Sequence, residues 1–208
     1  MPGRMTSRAL HETFGEIDIY VFDQLLKGRF DSARRVLDAG CGEGRNLHYL
    51  LAAGCECFGI DRAPQAIDDI RALAARLAPQ LPSSNFVTGE IDALPWDDAS
   101  MDAVVCSAVL HFARDEAHVE RMVRELWRVL VPGGMLFTRL ASTIGIEDDV
   151  TFVDGRRARV PDGSERFVVD AAMLDALTTS LGGALLDPLK TTIVHQQRSM
   201  TTWVVRKA

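Results

Sequence analysis

Apolar and polar positions along this chain switch repeatedly between two periods, and that switching specifies an architecture. Apolar runs of strand length cover residues 35–38, 55–60, 85–88, 101–108 and 135–140, and the 101–108 run is nearly continuous, as a central strand requires. Between them lie stretches with helical spacing. Residues 46–53 are closed by Gly54, and 64–78 is alanine-rich with Pro64 in its first turn. Residues 115–130 place Val119, Met122, Val123, Leu126 and Leu130 on one face, and 170–181 stops at Gly182-Gly183. Two last runs, 191–195 and 201–205, are close enough to form an antiparallel pair. Ahead of the alternation, 17–27 carries Ile17, Val21 and Leu25 on one stripe with Phe22 and Leu26 beside it, an amphipathic helix. Strands alternating with helices predict an α/β fold, a mostly parallel sheet covered on both faces. The expected division is an N-terminal helical segment, 1–33, packed on a main domain, 34–208.

Residues 142–169 break the alternation. A connection of that length in a compact domain is usually a lid or binding loop, or lacks fixed structure. Asp154-Gly155 and Asp162-Gly163 suggest short hairpins within it. Arg156, Arg157, Arg159 and Arg166 make it either a basic lid over an acidic substrate or a solvated charged hairpin.

Composition narrows the class. The chain has 208 residues, 47% hydrophobic and 25% charged, with net charge −6. An acidic globular chain disfavours general nucleic-acid binding, which rests on neutralising phosphates. No apolar stretch approaches bilayer-spanning length, and no signal pattern opens the chain. Cys41, Cys55, Cys57 and Cys106 lie in or beside strands and turns and read as reduced thiols of a cytoplasmic protein. No Cys/His set of metal-binding spacing is present, so no metal is expected.

The informative motif is Val36-Leu37-Asp38-Ala39-Gly40-Cys41-Gly42-Glu43-Gly44-Arg45-Asn46. A strand ends in an acid, then in alternate glycines that let a ligand lie against the backbone. The next strand also ends in an acid, Asp61, placed to hold both hydroxyls of a ribose. Dinucleotide loops put their third glycine three positions after the second, for phosphate. Here the spacing is shorter, and Asp38 would repel pyrophosphate but suit a cation.

These residues resemble the class I S-adenosylmethionine-dependent methyltransferases, in the branch that acts on small molecules, and the resemblance runs from about Arg34 to the end. Three further motifs carry it: residues 86–96, ending Leu94-Pro95-Trp96; Ala99-Ser100-Met101-Asp102 with the apolar run to Phe112; and Leu130-Val131-Pro132-Gly133-Gly134. The resemblance implies a doubly wound seven-stranded sheet in the order 3-2-1-4-5-7-6 with the last strand antiparallel, and S-adenosylmethionine as cofactor. It implies Asp38, Gly40, Cys41 and Gly42 around the methionyl part, Asp61 and Arg62 at the ribose, Glu90 at the adenine amino group, Ile91 offering its backbone N–H to the ring, and Ser107 at the methionine end. Asp92 competes with Glu90 for the adenine role.

Transfer from a sulfonium needs chiefly an aligned acceptor, and a general base only where the acceptor must lose a proton. His111, after the fourth strand, is the candidate base; its alternative is to cap a helix or line the pocket. Phe14 and Tyr20 either close over the methyl group or are plain core. The expected partner is a small-molecule acceptor, with no nucleic acid and no membrane, and the protein a monomer or homodimer. The competing readings are an NAD(P)-dependent oxidoreductase and a non-catalytic S-adenosylmethionine-binding protein.

Overall fold

The computed structural model describes residues 6–208, and the chain divides into two compact units, Met1–Glu90 and Ile91–Ala208.

In the first unit, β1 (Arg35–Ala39), β2 (Glu56–Asp61) and β3 (Phe86–Thr88) pair in parallel in the order β3-β2-β1. Parallel neighbours need crossovers, and α3 (His48–Ala52) and α4 (Pro64–Leu77) supply them. Val36, Leu37, Leu50, Leu51, Ile60, Ile67, Ile70 and Phe86 are all buried and form its core. Two helices precede the sheet. The first, α1 (Ser7–Phe14), buries none of its residues, so its sequence carries no apolar stripe to reveal it. The second, α2 (Ile19–Leu26), starts where the Asp18 carboxylate accepts the Tyr20 N–H at 2.9 Å. Phe14 packs on Tyr49 and Phe22, with ring centroids 5.1 and 4.9 Å apart, so it is part of this unit's packing.

In the second unit, β4 (Met101–Ser107) and β5 (Leu130–Ala141) are parallel, and β11 (Arg198–Lys207) runs antiparallel to β5. The outermost position is filled twice. β10 (Lys190–Val194) pairs with the start of β11, and β9 (Gly183–Leu185) with its end. The strand orders are those expected: 3-2-1 in one unit, and 4-5-7-6 in the other with the seventh antiparallel. Two details differ. Gly183 opens a strand instead of closing a helix. And β5 begins at Leu130, which pairs with Met101 before a register shift that passes Gly133 at φ 81° and resumes with Met135 opposite Ala103.

Asp115 and Asp170 cap α5 (Glu116–Val129) and α6 (Ala171–Ser180) through the backbone N–H groups of His118 and Met173. Trp203 is fully buried and donates its indole N–H to Thr178 Oγ1 at 2.9 Å, which ties β11 to α6. Arg128 bonds Glu125, Asp98 and the carbonyls of Leu94 and Trp96, pinning the segment before β4 onto α5.

Within residues 142–169 the chain forms a separate antiparallel sheet of β6 (Thr151–Asp154), β7 (Arg157–Arg159) and β8 (Glu165–Phe167). Its turns pass through Gly155 and Gly163, both at positive φ. Ala158, Val160 and Val168 pack with Ala141 at the end of β5.

Candidate functional site

In the first unit the chemistry gathers at the carboxyl ends of β1, β2 and β3. Gly40 N–H and Cys41 N–H both donate to the Ile60 carbonyl, at 2.7 and 3.0 Å, which bends the chain sharply off β1. The Asp61 carboxylate then clamps the loop. Its Oδ2 accepts from Gly42 N–H at 3.0 Å and its Oδ1 from Ala63 N–H at 2.9 Å. Each oxygen keeps a further lone pair for a ligand.

Asp38 is fully buried. Burial raises its pKa to about 7, and the nearby Arg45 charge and Asn46 side chain restrain that rise. The Asn46 carbonyl oxygen is already used by Asp18 N–H at 3.1 Å, so its amide faces are all it can offer elsewhere. Neither Asp38 oxygen accepts a hydrogen bond of ordinary geometry. A buried carboxyl left this way is costly, and a cation placed beside it would remove the cost.

The three loop glycines are not equivalent. A Cβ on Gly42 would meet nothing within 4 Å, so this is a face open to a ligand. A Cβ on Gly44, at φ 88°, would fall 1.9 Å from Ile70 Cδ1; this glycine serves helix packing. Cys41 contributes through its backbone. Its thiol is buried, its pKa pushed well up by burial, and its sulfur lies 2.9 Å from where a Cβ on Gly59 would sit.

Gly89 N–H donates to the Asp61 carbonyl at 3.0 Å, which sets exposed Glu90 at the same edge. Arg62 is also exposed there. The first unit therefore brings together Asp38, Gly40, Cys41, Gly42, Asp61, Arg62 and Glu90. Asp92, the competitor for the adenine role, belongs to the second unit and faces His118 Nε2 at 3.4 Å and Arg121 Nε at 3.9 Å. The imidazole, its pKa lowered by burial, and the Arg121 guanidinium already engage its carboxylate. Ile91 is buried beside it in sequence.

In the second unit, Ser107 ends β4, buried, opposite Arg139 of β5. Ala108 follows at φ 63°, a left-handed conformation that costs a residue with a Cβ about 1 kcal/mol, and is held there by its N–H on the Arg139 carbonyl at 2.7 Å. Strain of this kind gathers at functional edges. The chain then makes a 3-10 turn, Leu110–Phe112, that buries His111. Burial first, then the charges of Arg166 and Arg139, push the His111 pKa down to about 4. Its Nδ1 has no hydrogen-bond partner.

Sequence reasoning did not connect the arginines to His111, because the connection exists only in the folded register of β7 and β8. Arg156 pairs with Glu116 and Asp170, and Arg157 with Glu165. Arg157 also donates to the Ala113 carbonyl at 3.2 Å, fastening the small sheet to the turn. Arg166 instead lies over the Phe112 ring, 5.0 Å from its centroid. Among the described residues no cluster of His, Cys, Asp and Glu is placed to hold a metal, and no helix is long and apolar enough to cross a membrane.

Similarity to known proteins bears on the fold and the family. Residues 37–138 match a family described as a methyltransferase domain. The chain is 36% identical over 105 residues to an uncharacterized methyltransferase of Mycobacterium tuberculosis, covering 50% of this chain and 39% of that one. It is 30% identical over 149 residues to a probable S-adenosylmethionine-dependent methyltransferase of Mycolicibacterium smegmatis, covering 72% and 52%. The chain thus spans about half or less of these relatives' length. Among solved structures, the 1,6-didemethyltoxoflavin-N1-methyltransferase of Burkholderia thailandensis, with bound 1,6-didemethyltoxoflavin and S-adenosylhomocysteine, superimposes with a TM-score of 0.68 at 18% identity over 97% of this chain and 82% of that one.

Proposed function

We propose that the chain is a class I S-adenosylmethionine-dependent methyltransferase that moves a methyl group from S-adenosylmethionine to a small-molecule acceptor in the cytoplasm, a reading supported by the methyltransferase-domain match and the methyltransferase relatives. The observation that carries the cofactor is Asp38. Its buried oxygens accept no hydrogen bond of ordinary geometry, with only the Asn46 side chain nearby to ease them, in the same loop as the open face of Gly42, which fits a ligand bearing positive charge and opposes one bearing pyrophosphate. Asp61, held by two backbone N–H groups, is pre-oriented for a pair of hydroxyls, and Glu90 stands at the same edge for an amino group. Ile91 and Ser107 join them by the family resemblance. The four cysteines are free thiols, which supports a reducing compartment.

When bound, the cofactor supplies an electrophilic methyl carbon on a sulfonium, whose departure as a neutral thioether needs no acid. The protein's own task is to bind, orient and exclude water. Gly40 and Gly42 offer backbone without side chains. Asp38, ionised by a neighbouring cation, holds charge against charge in a water-free place. His111 is neutral above about pH 4, so it can accept a proton, though with its pKa this low it is a weak base.

Calorimetry with S-adenosylmethionine and with NADPH, followed by detection of S-adenosylhomocysteine over an acceptor panel, tests the reading. Binding of the sulfonium compound with turnover is expected. NADPH binding in its place would return the oxidoreductase, and binding without turnover on any acceptor the non-catalytic binder.

A further inference from the structure

We infer that the acceptor carries a carboxylate, and that Arg166 of β8, aided by Arg139 of β5, receives it beside the His111–Phe112 turn. This rests on the methyl-transfer reading and names the substrate class.

The arginines of the small sheet differ in what they face. Arg156, Arg157 and Arg198 are neutralised by Asp170, Glu165 and Asp162. Arg166 is not. Its Nη1 donates to the Glu165 carbonyl at 2.8 Å, and its guanidinium covers Phe112, a ring that is itself 46% exposed. Among the described residues no carboxylate lies within 4 Å of its nitrogens. A half-buried guanidinium held flat by a ring, with N–H groups left over, is a fork ready for a planar anion.

The surroundings are fixed in place. Arg157 ties β7 to Ala113, His111 and Phe112 meet edge to face at 4.6 Å, and Ala108 hangs on the Arg139 carbonyl. The charged groups reaching His111 are Arg166 and Arg139, both positive, and burial adds to their effect. The His111 ring is thus kept neutral in a positive field with an unused Nδ1. An anion would cancel that field. It would also raise the basicity of His111, so one group on the acceptor both orients it and readies the imidazole. A carboxylate whose lone pairs are committed to guanidinium N–H groups is a handle, and the methyl group goes to another atom of the acceptor.

The test uses the full chain, isotopically labelled at histidine, with the His111 resonance assigned by its loss in His111→Gln. Benzoate and benzamide are titrated with and without S-adenosylhomocysteine. Benzoate should bind at least about tenfold tighter than benzamide, and the His111 pKa should rise on binding. Arg166→Met, which keeps the stem over Phe112, should abolish the preference and leave S-adenosylhomocysteine affinity unchanged. If that variant loses the small sheet, seen in the amide signals of residues 151–167, Arg166→Lys decides, and it should weaken benzoate several-fold. Equal binding of the two probes, no saturable benzoate binding, or a preference that survives the deciding variant overturns the proposal. Failure of S-adenosylhomocysteine to bind strikes the cofactor reading instead, and the cofactor-free titration still judges the arginines.

Discussion

At the ends of β1 and β2, backbone N–H groups do the positioning: Gly40 and Cys41 on Ile60, Gly42 and Ala63 on Asp61, Gly89 on the Asp61 carbonyl. At the ends of β4 and β5 that task falls largely to side chains, with Arg157 gripping a carbonyl and Arg166 lying on a ring. The first edge carries a buried carboxyl group with no hydrogen bond of ordinary geometry, the second a buried neutral imidazole among cations. Backbone scaffolding writes itself into sequence as glycines and acids at fixed spacing. Side-chain scaffolding does not, since any of four arginines in residues 142–169 could have been the one that matters.

The comparison breaks first at Asp38. The folded pKa of about 7 lies above the ordinary 3.8, so the native state binds the proton more tightly than the unfolded chain. The Asp38 share of stability without cofactor should therefore fall as pH rises from about 4 to about 7 and then level, by on the order of 4 kcal/mol, while the lowered pKa of His111 adds stability between about pH 4 and 6.5 and offsets much of that fall in the wild type. Asp38→Asn should remove the Asp38 share, raising Tm relative to wild type at pH 8 more than at pH 5, while weakening S-adenosylmethionine about a hundredfold. Scanning calorimetry across pH and isothermal titration check the two halves; a stability difference between wild type and Asp38→Asn that does not change between pH 4 and 7 would refute the buried-carboxyl account.

Next comes the division of labour among the glycines. Gly44→Ala should cost about 3 kcal/mol in urea unfolding, through positive φ and overlap with Ile70. Gly42→Ala should cost only about 1 kcal/mol, for φ alone, with its main effect on cofactor binding. Equal losses of stability would erase the distinction. Asp61→Ala should weaken cofactor binding about tenfold or more, from loss of charge-assisted hydrogen bonds; unchanged affinity by calorimetry would remove Asp61 from the site. The smallest effect belongs to the second edge. Arg157→Met should lower global stability by less than about 1 kcal/mol, yet speed amide hydrogen exchange across residues 151–167, which sharpens the contrast between a scaffold of backbone and one of side chains.

The alternating periods were enough to read the two sheet halves and their order, because buried parallel strands must be apolar along their length. The helix α1 escaped because nothing in it is buried, and β9 because three residues, two of them exposed, carry no period. Residues 142–169 showed their turns through Asp-Gly pairs, but which strands would pair depends on burying Ala158 and Val168 against Ala141, a contact between distant positions. Of the site, Asp38 and Asp61 were legible as acids at strand ends. At the adenine position the register of residues 86–96 favoured Glu90 over Asp92, and the contacts of Asp92 with His118 and Arg121 left no trace in the sequence. The pairing of Arg166 with Phe112 joins residues more than fifty positions apart and leaves no local trace.

Cys41 and Gly59 share one small volume, with the sulfur of one resting where any side chain of the other would begin. A methyl group at 59 requires room from Cys41 and a shift of Phe86, whose Cδ1 would lie 3.0 Å from it. Homologues or engineered variants should therefore change these two sites together or leave both as they are.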